Sequence, residues 1–271
     1  MGVAITSIFE NLTTGGLELN IYVIDSNIGE QNKIKLKELE ERYNFTITYL
    51  YLEKEKLPSF YISYHITEES YYRIFIANLL PNINRVIYLD CDLIVKGDIR
   101  ELFFTDIGNN IVGAVEECDY FEQKNYFNAG VLLLNLKQWR KENITNKSIE
   151  VINEKKEDLK YHDQDVLNIV LKNKVEFLDL KWNLTTLNYF KYHKEVNGPG
   201  IFHFTSAYKP WNNFYPYKTP FKREYFKYLA LTLWKDYKIP NKIELKKVLY
   251  FYLKKILFLF LPNTIIKIIK K

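Results

Sequence analysis

The chain has 271 residues, 47% apolar and 26% charged, with a formal net charge of +5. That balance suits one large soluble domain, or one domain with an appendage. Its two cysteines, Cys91 and Cys118, have no CxxC spacing, which argues against a disulfide framework and a structural zinc site and suits a reducing compartment.

The charge is unevenly placed. Ten lysines and two acids (Asp236, Glu244) lie between Lys235 and Lys271, so the rest of the chain is slightly acidic. With no RNP-like or zinc-finger pattern, a nucleic-acid partner is a poor reading of the body. Aromatic residues are abundant, 22 Tyr among them, but a large half-wet core would have the same composition as a sugar-binding groove. The start, MGVAITSIFENL, lacks the basic region and long apolar run of a cleavable signal.

In chain order, Gly2 to Asn11 reads as a helix and Leu19 to Ile24 as a short strand followed by a turn. Gln31 to Tyr43 reads as a charged helix that can bury Ile34, Leu36 and Leu39. Phe45 to Tyr51 is an aromatic-rich strand. Thr67 to Leu80 predicts a helix with Thr67 as N-cap and Pro81 as stop. Strands are expected at Val86 to Asp90, Ile111 to Val115 and Gly130 to Leu136. This alternation predicts an α/β domain with a largely parallel sheet covered on both faces. In such sheets ligands bind beyond the carboxyl ends of the strands.

One stretch stands at such an end. Residues 85–97 read RVIYLDCDLIVKG, where an apolar strand run stops at two carboxylates, Asp90 and Asp92. Two adjacent anions repel each other, and a hard divalent cation with oxygen ligands would relieve them. The plainer reading is that one Asp caps a turn and the other is solvated; the dipeptide alone leaves both open.

Three further segments fit one constellation: YFNAGVLLLNL (Tyr126 to Leu136), HDQDVLNIVL (His162 to Leu171) and IFHFTSAYKPW (Ile201 to Trp211). With the DCD motif, and in this order from about Gly2 to Trp211, they resemble glycosyltransferase family 8. The bacterial lipooligosaccharide and lipopolysaccharide galactosyl- and glucosyltransferases are the nearest part of that family. The resemblance implies a single Rossmann-like, GT-A type nucleotide-sugar domain over residues 1–234.

What it implies for each residue can be set beside a plainer role. Asp90 and Asp92 would be metal ligands with His203, which alone would read as a core histidine. Mn²⁺ is the expected ion, with Mg²⁺ as the alternative. Lys209 would face the donor diphosphate instead of being a surface lysine. Arg73, otherwise a surface ion-pair partner, would reach the donor sugar or phosphate. Asp90, Cys91, Asn128 and Ala129 would also contact the donor, where Asn128 otherwise reads as a turn residue. Asp163 would hold sugar hydroxyls and Gln164 would lie near the anomeric carbon; the plainer role of Asp163 and Asp165 is to favour a helix N-terminus. Gln164 is a poor nucleophile, so a front-face retaining reaction is preferred, with the departing diphosphate accepting the acceptor's proton.

The function implied is transfer of galactose or glucose from a UDP-hexose, Mn²⁺-dependent and with retention, to a lipid-linked or other surface saccharide. Two departures accompany it. Relatives usually begin with a strand that holds uracil and ribose, whereas this chain is expected to start at the following helix. Ser206 stands where a glycine is usual. A non-catalytic, membrane-associated relic of the enzyme is therefore the alternative. A haloacid dehalogenase-type phosphatase also places DxD after a strand, but Leu93-Ile94 replace its usual Gly-Thr.

The tail, residues 235–271, mixes lysine pairs with short apolar runs, too short for the ~20 residues a span needs. It predicts an amphipathic helix on an anionic membrane surface, against the alternative of a helix packed on the domain; the family resemblance implies the inner face of the bacterial cytoplasmic membrane.

Overall fold

The structure, a computed structural model, describes residues 1–15, 18–53, 57–58, 60, 67–117, 125–155, 158–205, 207–239, 248–249 and 251–253. The N-terminal helix forms as expected, α1 (Gly2–Phe9), with Val3 to Ile8 all buried. Parallel strands β1 (Asn20–Ile24) and β2 (Thr46–Leu50) are joined through α2 (Glu30–Tyr43), which buries Leu36 and Leu39. Asn44 ends that helix in the left-handed region, φ 52°, a conformation asparagine tolerates better than most residues.

The helix expected over Thr67 to Leu80 takes a different form. Glu68–Phe75 is 3₁₀, and only α3 (Ile76–Leu79) is α-helical; Thr67 makes no side-chain cap bond. Tyr71 to Ala77 are seven consecutive buried residues, so the segment presents no solvent-facing stripe and is enclosed on all sides.

After it come β3 (Arg85–Leu89), β4 (Leu93–Val95), α4 (Ile99–Phe103), β5 (Val112–Glu116) and β6 (Phe127–Asn135). Helices α5 (Leu136–Lys141), α6 (Ile144–Lys155) and α7 (His162–Val170) follow, then β7 (Val175–Phe177), β8 (Leu184–Thr185), α8 (Thr186–Tyr192), β9 (Ile201–His203) and α9 (Phe221–Ala230).

The α/β class holds, but the strand directions are mixed, not largely parallel. The four-stranded sheet runs β3-β6-β5-β7 and a smaller one β4-β9-β8. β3–β6, β5–β6 and β4–β9 are antiparallel, while β1–β2, β5–β7 and β8–β9 are parallel. Among the described residues, β1 and β3 carry a ladder on one edge only, so no strand ladder joins their sheets.

Strand β6 is the spine. Leu132 and Leu134 point into a core with Trp139, Val166 and Leu167, while Val131 and Leu133 point the other way, toward Leu93, Val95 and Trp182. Burial on both faces explains its unbroken apolar run. Helix α1 is pinned to β4 by side chains: Val95 N–H donates to Ser7 Oγ at 2.9 Å, and Asn11 Nδ2 donates to Val95 O at 3.0 Å. Those bonds satisfy both backbone groups of a residue that is fully buried.

Of the expected tail, the described residues include Phe251 and Tyr252. Phe251 lies 5.4 Å from the Tyr208 ring, 5.7 Å from Phe214 and 6.2 Å from Tyr217. Tail residues 240–247, 250 and 254–271, and the Ser206 position, lie outside the described residues.

Candidate metal centre

Strand register assembles the site. Leu89 of β3 pairs with Val131 of β6, so the next residue, Asp90, lies opposite Gly130 and donates its N–H to Gly130 O at 2.8 Å. Leu93 of β4 pairs with His203 of β9, which sets His203 beside Asp92. Phe204 N–H closes that corner on Asp92 O at 2.9 Å. Residues more than a hundred positions apart thereby meet.

Asp90, Asp92 and His203 each offer one ligand atom, all within 4.8 Å of one another. His203 Nε2 stands 3.2 Å from Asp92 Oδ1 and 3.6 Å from Asp90 Oδ2. Gly130 makes the space. A Cβ there would come within 2.1 Å of His203 Cε1 and 2.7 Å of Asp90 Oδ2. One imidazole nitrogen and two carboxylates are a donor set that fits a divalent transition ion, and the missing side chain at residue 130 is what lets them converge.

Cations surround the carboxylates. Lys209 Nζ pairs with Asp92 and also donates to Phe204 O. Burial opposes the charge on Asp92, but His203 and Lys209 outweigh it and hold the carboxyl well below the usual range. Arg73, expected to touch a donor, is 7% exposed and already engaged. It bridges Asp90 (2.9 Å) and Asp163 (3.1 Å), donates to Ser70 O and Ala129 O, and lies 4.7 Å from the Tyr88 ring. Its burial works against its charge, yet Asp163 and Asp90 keep the guanidinium more firmly protonated than usual. Tyr88 Oη donates to the same Asp90 oxygen at 2.7 Å. Arg73 therefore holds Asp90 in place.

Helix α7 brings the other two expected residues to the same edge. His162 initiates it at φ 49°, and Asp163, 4% exposed, points to Arg73. Burial pushes the Asp163 carboxyl up to about 6, with Arg73 pulling it down and Asp90 pushing it up. Gln164 accepts from Ala129 N–H at 3.0 Å and donates to Tyr126 Oη at 3.2 Å. Ala129 is thus held through both backbone groups. Asn168 pairs with the backbone N–H and C=O of Phe127, continuing the tie between α7 and β6. Cys91 sits between the two aspartates with its residue exposed.

Asn128 is 8% exposed and its side chain makes three hydrogen bonds to protein groups. Its Oδ1 accepts from Gly130 N–H and from Asn183 Nδ2, both at 2.9 Å, and its Nδ2 donates to Glu117 at 2.8 Å. Sequence reading misses Glu117, Asn183 and Thr185. Burial raises the Glu117 carboxyl, while hydrogen bonds from Asn128 and Thr185 lower it. The available signal was a polar residue at each strand end, in AVEE and KWNLTT.

Residues 1–214 match the family model described as Glycosyl transferase family 8. The chain belongs to that family. It is 35% identical over 242 residues to General stress protein A of Bacillus subtilis strain 168, covering 80% of this chain and 84% of that one. It is 29% identical over 258 residues to the lipopolysaccharide 1,2-glucosyltransferase of Escherichia coli K12, covering 87% and 75%. A crystal structure of the galactosyltransferase LgtC with donor and acceptor sugar analogs superposes with TM-score 0.75 at 24% identity, covering 89% and 92%. The fold of this family 8 chain is accordingly the GT-A type that the resemblance implied. Among the described residues no helix is long and apolar enough to cross a membrane.

Proposed function

We propose that this chain is a divalent-metal-dependent hexosyltransferase that moves glucose or galactose from a UDP-hexose to a saccharide acceptor with retention. The observation that carries the reading is the convergence of Asp90, Asp92 and His203 within 4.8 Å, with Lys209 paired to Asp92. Family membership supports the reaction class, and the E. coli glucosyltransferase supports a lipopolysaccharide-type acceptor.

Asp90, Asp92 and His203 would hold Mn²⁺, with Mg²⁺ as the alternative. A bound ion of this kind supplies Lewis-acid neutralisation of a diphosphate leaving group. The chain's own groups do the rest. Lys209 adds a point charge for the diphosphate. Above pH about 6, ionised Asp163 accepts hydrogen bonds from donor hydroxyls. Gln164, locked between Ala129 and Tyr126, orients the sugar without serving as a nucleophile. The acceptor's proton leaves to the departing diphosphate, and Arg73 keeps Asp90 and Asp163 fixed throughout. The protein works at the cytoplasmic face of the membrane, where its basic tail adds attraction to anionic lipid.

The test is UDP release from UDP-glucose and UDP-galactose, with Mn²⁺ and with EDTA, and NMR of the transferred anomer. The reading requires metal-dependent release and a retained configuration. Equal release in EDTA, or inversion, contradicts it.

A further inference from the structure

The orientation of His203 can be traced to a single backbone N–H. Gly130 N–H can only donate, so the Asn128 atom 2.9 Å away is its carbonyl oxygen. The Asn128 amide nitrogen then faces Glu117 Oε2 at 2.8 Å, as a carboxylate requires. Asn128 Oδ1 also meets the side-chain amide of Asn183 at 2.9 Å, and an oxygen facing an oxygen would repel. The Asn183 group turned to Asn128 is therefore its NH₂. Its own Oδ1 then faces His203 Nδ1 at 3.1 Å, which must carry a hydrogen.

Every bond in this chain runs one way. His203 donates to Asn183, Asn183 to Asn128, and Asn128 to Glu117, whose other oxygen accepts from Thr185 at 3.2 Å. Asn183 is wholly buried and His203 nearly so, at 3%. The relay leaves His203 Nε2 as the nitrogen facing Asp92 and Asp90, and in the metal-free site it donates to Asp92 Oδ1 at 3.2 Å, a carboxylate oxygen that can only accept.

We propose that Asn183 is a positioning residue for the metal centre: by accepting from His203 Nδ1–H it holds the ring so that Nε2 faces the two aspartates, where a metal takes the place of the Nε2 hydrogen. This rests on the metal-site reading above. A metal-binding histidine is commonly oriented by a hydrogen bond from its other nitrogen to a carboxylate or carbonyl. Here two amides relay that role from Glu117, and aligned dipoles strengthen one another.

Long-range ¹H–¹⁵N correlation of the protein saturated with Mg²⁺, a diamagnetic ion, reads which ring nitrogen carries hydrogen, with His203→Gln assigning the signal. The expected result is Nδ1–H in the wild type; Nε2–H overturns the proposal, whether or not any variant folds. In Asn183→Ala, Mn²⁺ affinity by calorimetry falls about 10- to 100-fold, the usual cost of losing such a partner. An Asn183→Ala protein that folds and keeps the wild-type Mn²⁺ affinity also overturns it. A wild type with Nδ1–H that binds no Mn²⁺ sinks the metal reading, while leaving the His203–Asn183 bond standing.

Discussion

Gly130 lies so close beneath His203 that a Cβ on it would stand 2.1 Å from the imidazole Cε1. The same Cβ would be 2.7 Å from an Asp90 carboxylate oxygen. Both neighbours are held from other directions, His203 by Asn183 and Asp90 by Arg73 and Tyr88. Neither can retreat without breaking those bonds. Gly130→Ala should therefore cost about 1–3 kcal/mol of stability, the usual penalty of overpacking. It should also weaken Mn²⁺ binding at least tenfold. Thermal melting and a Mn²⁺ titration check both; an alanine protein with wild-type affinity would show that the three ligands do not need this gap.

The two aspartates should differ in what they do for the fold. Asp90 neutralises an Arg73 that is almost wholly buried, whereas Asp92 pairs with a more accessible Lys209. Relieving repulsion between the two carboxylates would, taken alone, make either change harmless to stability. The Arg73 pair alters that expectation. Asp90→Asn should lower stability by about 1–3 kcal/mol, because the guanidinium loses a charged partner it cannot exchange for water. Asp92→Asn should cost less. Melting temperatures of the two variants, measured without metal, give the order.

Asp163 gives the molecule a pH signature. Its carboxyl is raised from 3.8 to about 6 by burial, so the folded chain binds that proton more tightly than the unfolded one. The native state then loses stability as pH climbs from about 4 to about 6, and the loss is complete above that. The shift corresponds to about 3 kcal/mol. Asp163→Asn removes the titration. Its melting temperature should gain on the wild type across that window and run parallel to it above. Curves that are parallel from pH 4 upward would place Asp163 in a wetter setting than this.

The tail joins two effects that can be separated. Phe251 rests edge-on against Tyr208, Phe214 and Tyr217. Phe251→Ala keeps every tail lysine, so it should lower the melting temperature by a few degrees and leave sedimentation with anionic vesicles unchanged. Removing residues 254–271 keeps Phe251 and removes five lysines. It should spare the melting temperature and weaken vesicle binding, which salt should also screen in the full chain. The opposite pattern would make the lysine-rich end part of the fold.

The sequence made some of this legible and hid the rest for physical reasons. The run Val86 to Leu89 stopping at Asp90 and Asp92 is local, and so is the charged helix α2 between two short strands. Strand direction is not local. Nothing in GVLLLNL distinguishes a parallel neighbour from the antiparallel β3 it has. Strands β4, β7, β8 and β9 have only two or three residues each, below the length at which alternation can be seen. Asn183 and Glu117 gave no pattern either, since their partners lie 20 and 11 positions away. Asn128 was recognisable as a site residue, and its amide bonds Gly130, Asn183 and Glu117. The other members of the expected set, Arg73, Asp163, Gln164, Ala129 and Lys209, do lie around Asp90, Asp92 and His203.

The central claim is that Asp90, Asp92 and His203 bind a divalent ion on which hexose transfer depends. The most direct measurement is the rate of UDP release from the cognate UDP-hexose as a function of Mn²⁺, for the wild type and for Asp92→Asn at equal folded concentration. Saturable activation in the wild type, abolished by EDTA and by the substitution, is the predicted result. An Asp92→Asn enzyme that is folded and as active as the wild type would contradict the account.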